Sequence, residues 1–148
     1  MSTENSSHIS CPIARSLSVL GDTWSILILR DANAGLTRFD QFRKSLGIAP
    51  TMLTRRLMTL TKEGLLKKSR YQEHPPREEY LLTAAGRDFL PALFMIGAWG
   101  RQYRGDGKLT RFLDAETGLE IKPVALDENT GAKIGTRPIR ALMPEENL

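Results

Sequence analysis

One stretch decides the fold of this chain: residues 37–83, TRFDQFRKSLGIAPTMLTRRLMTLTKEGLLKKSRYQEHPPREEYLLT. Thr37 and Asp40 have the spacing of a capping box that opens a helix, and apolar residues then recur at helical intervals. Gly47 suits the left-handed turn that ends such a helix. After a short gap, Pro50 fits the first turn of a second helix. The pattern predicts two helices joined by a tight turn.

The residues after the second helix indicate a β-hairpin. Gly64 stops the helix, and the strands are predicted at Leu65–Arg70 and Glu79–Thr83, with a polar, proline-bearing loop between them. A helix pair backed by a hairpin is a common way to place one helix in the major groove of DNA. We therefore predict an α+β fold that is mainly α: a winged helix-turn-helix, with a recognition helix at about 50–63 and a wing at about 65–83.

The second helix has two different faces. At about 100° per residue, its leucines share one side and must face the core. The opposite side carries hydroxyls and cations with no carboxylate before Glu63, which suits a polyanion. Arg56 lies at the edge of the apolar stripe, where it can extend toward a phosphate or pair internally. An ordinary solvated helix face is the alternative, but such a face more often mixes charges of both signs.

Composition sets limits on the function. The 148 residues suit one domain with an appendage. Residues 1–104 hold 15 basic and 9 acidic side chains, whereas residues 105–148 hold 6 and 8, so the basic part fits an anionic partner. The polar N-terminus does not resemble a signal peptide, and the most apolar stretch, Leu90 to Trp99, is too short to span a bilayer. We expect a cytoplasmic protein with no membrane association.

No catalytic or metal-binding pattern is found in the sequence. One cysteine excludes a multi-cysteine metal site, and His8 and His74 have no ligand-like neighbours in the sequence. Asp22, Asp31 and Asp40 are expected to be capping or solvated residues. There is no nucleophile–base signature or phosphate-binding glycine loop, so we expect no enzyme activity, no cofactor and no metal.

Apolar helices flank the helix-turn-helix. Residues 12–33 are too apolar for a one-faced helix, and Gly21 with Asp22 is expected to break them in two. After the wing, Thr83 can cap a helix from Ala84 to about Tyr103 that is apolar around much of its circumference, and Pro91 and Gly97 within it allow a bend. We expect this excess surface to form a homodimer interface that includes Phe89, Leu93, Phe94 and Trp99. The alternative is that the two flanking segments pack on each other within one chain.

Short motifs along residues 10–104 resemble those of HxlR-type winged-helix regulators, which are MarR-like. They occur in the same order and spacing: Cys11-Pro12-Ile13-Ala14-Arg15, Leu20-Gly21-Asp22-Thr23-Trp24, Leu27-Ile28-Leu29-Arg30-Asp31, Thr37-Arg38-Phe39, Met52-Leu53-Thr54-Arg55-Arg56-Leu57, Glu63-Gly64-Leu65, Pro76-Arg77, Glu79-Tyr80 and Leu82-Thr83 with Gly86. The resemblance implies a bacterial homodimer that binds double-stranded DNA at an inverted-repeat operator. One departure is Ala49, where many relatives have a hydroxyl residue, so the usual N-cap is missing.

The resemblance also implies which residues contact DNA. It places Thr51, Thr54, Arg55 and Arg56 in the major groove and Arg38 on a phosphate. It places Arg70, His74 and Arg77 in the wing, on flanking DNA.

Cys11 precedes Pro12 near a helix N-terminus, where the helix dipole favours a thiolate. Several members of the resembled family sense oxidants or electrophiles through a cysteine at this position, which makes Cys11 a candidate redox sensor. The alternative, which we favour on sequence alone, is a buried packing residue. A small-molecule effector is the other kind of signal that such a regulator can receive.

The C-terminal segment contains an internal repeat. Leu113-Asp114-Ala115-Glu116-Thr117-Gly118 and Leu126-Asp127-Glu128-Asn129-Thr130-Gly131 stand thirteen residues apart, and Asp-x-x-Thr-Gly is good turn chemistry. The residues after each turn, 119–124 and 132–139, alternate like short strands. Two such turns resemble a zinc ribbon that has lost its cysteines. We therefore divide the chain into a disordered start (1–9), a winged helix-turn-helix and dimerisation domain (10–104) and a small metal-free β appendage with a flexible end (105–148).

Two classes of function remain open from the sequence. The first is a sequence-specific DNA-binding transcriptional regulator. The second is a dimeric ligand-binding or protein-interaction module that has kept the fold and lost DNA binding. Arg55, Arg77 and the carboxylate-free helix face favour the regulator.

Overall fold

The computed structural model of the protein describes residues 9–144. In chain order its elements are α1 (Pro12–Leu20), α2 (Thr23–Asn33), α3 (Phe39–Leu46), α4 (Pro50–Lys62), β1 (Leu66–Gln72), β2 (Arg77–Leu82), α5 (Ala84–Asp88) and α6 (Leu90–Tyr103). Helices dominate, and β1 and β2 form a two-stranded antiparallel sheet. This architecture confirms the predicted α+β, mainly α, winged helix-turn-helix fold.

The chain divides into two compact units, Met1–Leu90 and Pro91–Leu148. The first contains the helix-turn-helix and the wing, and the second contains nearly all of α6 with the C-terminal segment. The sequence placed this division after residue 104. The first eight residues of the N-terminal segment that the sequence predicts to be disordered, including His8, lie outside the described residues, as do the last four of the predicted flexible end.

The core lies in the first unit and is built around α4. Leu53, Leu57 and Leu60 on the inward face of α4 are fully buried, together with Phe42 of α3 and Ile28 of α2. Fully burying one such side chain contributes about 1.5–3 kcal/mol. These contacts fix the rotation of α4 about its axis.

The predicted break between the first two helices is confirmed at Gly21 and Asp22. Asp22 is the N-cap of α2: its carboxylate accepts hydrogen bonds from the backbone N–H groups of Trp24 and Ser25, both at 2.9 Å. Asp31, in contrast, is neither capping nor solvated. It is buried in α2, where its carboxylate accepts a hydrogen bond from Nε of the neighbouring Arg30 at 3.0 Å. The same carboxylate oxygen forms an ion pair with Nη2 of Arg30, also at 3.0 Å.

The helix-turn-helix is as predicted except at its first residues. Helix α3 begins one position later than the proposed capping box, because the side-chain oxygen of Gln41 accepts from the backbone N–H groups of Thr37 and Arg38 at 2.9 and 3.0 Å. Gly47 ends α3 in the left-handed conformation, with φ 64°. Helix α4 starts after Ala49 without a side-chain cap, as the sequence indicated.

The strands of the wing extend further into its tip than predicted. Both run through residues assigned to the loop, so that Arg70 pairs with Glu78 across the ladder and Gln72 with Arg77. The register is irregular between Arg70 and Gln72. The ends of the strands could not be predicted from the polar sequence of the tip, because a solvated hairpin needs no alternation of apolar residues.

The predicted helix 84–103 is wrong as a single element. Thr83 does cap the first part, since its hydroxyl accepts from the N–H of Gly86 at 3.2 Å, but α5 ends at Asp88. Helix α6 then begins at Leu90, and Pro91 lies in its first turn. A proline lacks an N–H and is tolerated in a first turn, so it starts a new helix here rather than bending one.

The C-terminal segment is built from the two predicted turns, but the predicted strand runs are absent between residues 105 and 144. Single bridges, Leu113 with Glu120 and Leu126 with Lys133, close the turns instead. In each turn the aspartate folds back on the backbone: Asp114 accepts from the N–H of Thr117 at 2.8 Å, and Asp127 from that of Asn129 at 3.2 Å. Hydrogen bonds from the backbone N–H groups of Thr117 and Glu116 lower the pKa of Asp114. Aspartate carboxylates therefore hold both turns.

No helix in the described part of the chain combines the length and the apolar character needed to cross a bilayer.

Candidate nucleic-acid interface

The outward face of α4 is the centre of the candidate interface. Thr51, Thr54, Arg55, Met58 and Lys62 are all exposed, opposite the buried leucines. The hydroxyl of Thr54 donates to the carbonyl of Pro50 at 3.0 Å, so its side chain lies against the first turn. Within the described chain, the Arg55 side chain has no hydrogen bond or ion pair. Its guanidinium is therefore free to contact a ligand.

Arg56 is placed differently from its neighbour. Its Nε atom is buried and lies 3.4 Å from a carboxylate oxygen of Asp22, an ion pair without hydrogen-bond alignment. Of the two alternatives that the sequence left open, the structure shows the internal pair. Arg56 thus joins α4 to the start of α2.

Asp22 is held as a carboxylate at this junction. Burial would raise its pKa, but hydrogen bonds from the side chain and backbone of Ser25 and from Trp24, together with the charge of Arg56, outweigh burial and lower the pKa below its ordinary value. The short hydrogen bond from the Ser25 hydroxyl, at 2.5 Å, is part of the same cluster. At neutral pH a negative charge therefore stands against Arg56.

The cations of the wing are partly neutralised. Arg70 lies 3.4 Å from Glu73 and 3.9 Å from Glu78, and Lys68 lies 3.2 Å from Glu78. The hydrogen bond to Glu78 raises the pKa of Lys68. His74 and Arg77 are exposed at the tip. Among the described residues, the Arg77 side chain forms no ion pair. Arg77 is the least neutralised of the predicted wing contacts.

Arg38 connects the helix-turn-helix to the wing. Its guanidinium lies over the ring of Tyr71, 4.5 Å from the centroid, which is cation–π distance. One residue before it, the carbonyl of Thr37 accepts a hydrogen bond from the backbone N–H of Tyr80 at 2.7 Å. Arg38 remains exposed, so its stacking on Tyr71 orients the guanidinium at the surface.

Sequence reasoning missed two residues that shape this surface, Asp22 as the partner of Arg56 and Tyr71 as the platform of Arg38. The Asp22 cap could be inferred from the helix break, but its distance to α4 is set by tertiary packing. Tyr71 stood in a stretch assigned to a loop. Its position at the irregularity of β1 gave no periodic signal.

Cys11 is exposed and stands at the N-cap position of α1. This differs from the buried packing residue that the sequence favoured. Its carbonyl accepts a hydrogen bond from the backbone N–H of Arg15 at 3.0 Å, the first bond of the helix.

The four residues predicted at a dimer interface have different surroundings. Phe89 packs against the core of the first unit. Phe94 makes an edge-to-face contact with Phe112 of the C-terminal segment, with centroids 5.1 Å apart. Leu93 is half-buried, and Trp99 is exposed beside Tyr103, 5.4 Å between ring centroids. Of the four, Trp99 alone is exposed, and the guanidinium of Arg104 lies over part of its ring, 5.6 Å from the centroid.

A buried helix pair, a solvated hairpin and an exposed hydroxyl-and-cation helix face define the class of winged helix-turn-helix proteins. The family model described as HxlR-like helix-turn-helix matches residues 19–108. The chain belongs to this family of transcriptional regulators, which confirms the resemblance seen in its sequence.

Individual relatives agree with this assignment. An HTH-type transcriptional regulator of Mycobacterium tuberculosis (strain H37Rv) is 34% identical over 129 residues, which cover 86% of this chain and 82% of the relative. A regulator of the same type from Synechocystis is 39% identical over 97 residues, covering 65% of this chain and 71% of the relative.

Solved structures show the same fold. The transcription-factor structure PA1607 superposes with a TM-score of 0.85 at 36% identity, covering 95% of this chain and 99% of that chain. The redox regulator HypR in its reduced form gives a TM-score of 0.60 at 32% identity, covering 64% of this chain and 94% of that chain. The first of these similarities extends through the C-terminal segment, whereas the second covers a smaller share of this chain.

The contrast between Arg55 and Arg56 predicts different effects on stability. Arg56→Ala should lower the free energy of unfolding by about 1–3 kcal/mol, because it removes a partly buried side chain and leaves Asp22 without its partner. Arg55→Ala, the adjacent matched control, should change it by less than about 0.5 kcal/mol. Urea denaturation followed by tryptophan fluorescence measures both. Equal effects of the two substitutions would contradict the internal role of Arg56.

Proposed function

We propose that this chain is a homodimeric, sequence-specific DNA-binding transcriptional regulator, with α4 in the major groove and the wing on flanking DNA. The observation that carries the proposal is the outward face of α4, which presents Arg55 without a partner among the described residues. An Arg can form two hydrogen bonds with one guanine, and such a pair gives base discrimination. Thr51 and Thr54 supply hydroxyls beside it.

The remaining predicted contacts are assigned by their surroundings. Arg38, oriented by Tyr71, and Arg77 at the tip of the wing are suited to phosphates, which give affinity without sequence preference. Arg70 must leave Glu73 and Glu78 to bind DNA, so we assign it a smaller contribution. His74 is exposed at the tip of the wing and is assigned to flanking DNA. Arg56 supports the interface by positioning α4 through Asp22.

The base-contacting role of Arg55 has a direct test. Arg55→Ala should weaken binding to the cognate operator by about 1–3 kcal/mol and relax the preference at one base pair in each half-site. Arg77→Ala should instead weaken binding to all sequences and reduce the slope of log affinity against log salt by about 1. Fluorescence anisotropy with DNA upstream of the chain's own coding region measures both effects.

Lys108→Ala is the control, since it removes one positive charge outside the helix-turn-helix and the wing and should leave affinity unchanged. If Arg55→Ala preserves both affinity and base preference, Arg55 is not a base contact. A wild-type chain that binds no duplex would favour the ligand-binding or protein-interaction module instead.

Homodimerisation is supported by the exposed face of α6. Ile96, Trp99 and Tyr103 share one side of this helix and are each at least half exposed, and α1 exposes Ile13 and Leu17 in the same way. Monomeric proteins rarely expose so many large apolar groups on adjacent helical turns. Two copies would present two recognition helices, about 34 Å apart for half-sites one DNA turn apart.

Sedimentation should therefore give a particle of twice 16.6 kDa at micromolar concentration. Trp99→Glu should shift the population toward monomer, because a charge would be buried in an apolar interface. Gln102→Glu adds the same charge on another side of α6 and serves as the control. A monomeric wild type would contradict the homodimer.

We further propose that oxidants act on this regulator through Cys11. Two observations support this: the thiol is exposed at the start of a helix, and the chain resembles HypR, which is a redox regulator. In a homodimer, two Cys11 thiols can lose two protons and two electrons to an oxidant such as diamide and form one disulfide between subunits. A small electrophile could instead be the effector by forming a thiol adduct.

The exposed thiol of Cys11 should be alkylated by iodoacetamide in the folded protein as fast as in the unfolded chain. Diamide should lower the affinity of the protein for DNA. Cys11→Ser should bind DNA like the parent under reducing conditions and should not respond to diamide. Ser16→Ala is the control in the same helix and should keep the response. Alkylation only after unfolding, with no effect of diamide, would remove Cys11 from the regulation.

A further inference from the structure

The second unit of the chain has no buried side chain among its described residues, 91–144. Ten large apolar side chains of the C-terminal segment are each between 40% and 77% exposed: Leu109, Phe112, Leu113, Leu119, Ile121, Val124, Leu126, Ile134, Ile139 and Leu142. They occur throughout the segment. We refer to these ten residues as the C-terminal apolar surface.

The ten side chains of the C-terminal apolar surface together expose an area on the order of 1,000 Å², whereas the largest contiguous apolar patch of a typical monomer is about 300–600 Å². A standard protein–protein interface buries roughly 800 Å² on each partner. The area is therefore sufficient for one side of a stable interface.

The segment nevertheless has a defined backbone. The second turn is closed by hydrogen bonds from the N–H of Asp127 to the carbonyl of Ala132 at 2.9 Å and from that of Ile134 to Ala125 at 3.0 Å. Glu120 pairs with Arg101 of α6 at 3.7 Å and with Arg111 at 3.4 Å. Ordering each residue costs about 1–2 kcal/mol of backbone entropy, which a segment without a core cannot recover from its own contacts.

We propose that a second copy of this chain covers the C-terminal apolar surface, so that the segment forms part of the subunit interface. The surface belongs to the same unit as α6, whose Ile96, Trp99 and Tyr103 lie on a different side from Phe94 and Arg101, the side chains that contact the segment. The helix and the segment thus give one unit two apolar surfaces that a second copy can bury. This inference rests on the proposed homodimer and adds to it the second half of the interface.

Hydrogen exchange of the full-length chain at several concentrations tests the proposal, with sedimentation on the same samples. The amides of Asp127 and Ile134 should be protected when the protein is dimeric and should lose protection in parallel with dissociation. A dimer whose segment is unprotected, or protected equally at all concentrations, would overturn this proposal and leave the α6 interface intact. A chain that is monomeric throughout would overturn both.

One substitution and a matched control identify the surface itself. Leu119→Glu places a charge on the C-terminal apolar surface next to the first turn and should weaken dimerisation roughly tenfold or more. Asn129→Glu adds the same charge at the tip of the second turn and should leave dimerisation unchanged. The equivalent position of the first turn is Glu116, so a glutamate is compatible with this turn. Equal dimer affinity of both variants and the wild type would overturn the proposal.

Lysine cross-linking of a mixture of ¹⁵N-labelled and unlabelled chains, allowed to exchange subunits, distinguishes the second copy from other occupants. Lys122 and Lys133 are exposed in the segment and should give cross-links that join a labelled to an unlabelled chain. Cross-links from these lysines confined to single chains would place the cover within the same subunit and contradict the proposal.

Discussion

The surface of this protein depends on how α4 is packed. Its three fully buried leucines recur on one side of the helix and fill the core against α2 and α3. A helix whose apolar side is fixed in this way has no rotational freedom, so its hydroxyls and cations must point outward. The interior thus decides which side chains α4 exposes to solvent. Changes in the core are therefore changes in the geometry of this exposed face.

The adjacent arginines Arg55 and Arg56 have different electrostatic surroundings. Arg56 lies at the border of the core, where the carboxylate that caps α2 is within 3.4 Å, whereas Arg55 lies about 100° further round the helix and meets solvent. A partly buried charge is retained only when it has a partner. The cap and the ion pair share the carboxylate of Asp22, so the start of α2 is connected directly to α4.

The two units of the chain differ in how they are stabilised. The first has a conventional core, while the second has turns closed by aspartate side chains and a helix with apolar residues on several sides. Short-range hydrogen bonds can define the turns but do not remove apolar groups from water. In the homodimer that we propose, an interface with another copy supplies that burial, so the same surface serves both the stability of the second unit and the proposed dimer.

The sequence by itself determined the helix-turn-helix, the boundaries of α4, the break at Gly21 and Asp22 and the family, because these depend on local periodicity, caps and turn residues. It also placed the Asp-x-x-Thr-Gly turns, but it misplaced the start of α3, the strand ends in the wing and the break before α6. Only the tertiary structure decided that Arg56 pairs with Asp22, that Arg38 stacks on Tyr71, that Asp31 is buried and that Cys11 is exposed. The two contacts join residues that are far apart in the sequence, and the two burial states depend on how the helices pack. The spacing of neighbouring residues encodes neither long-range contacts nor burial.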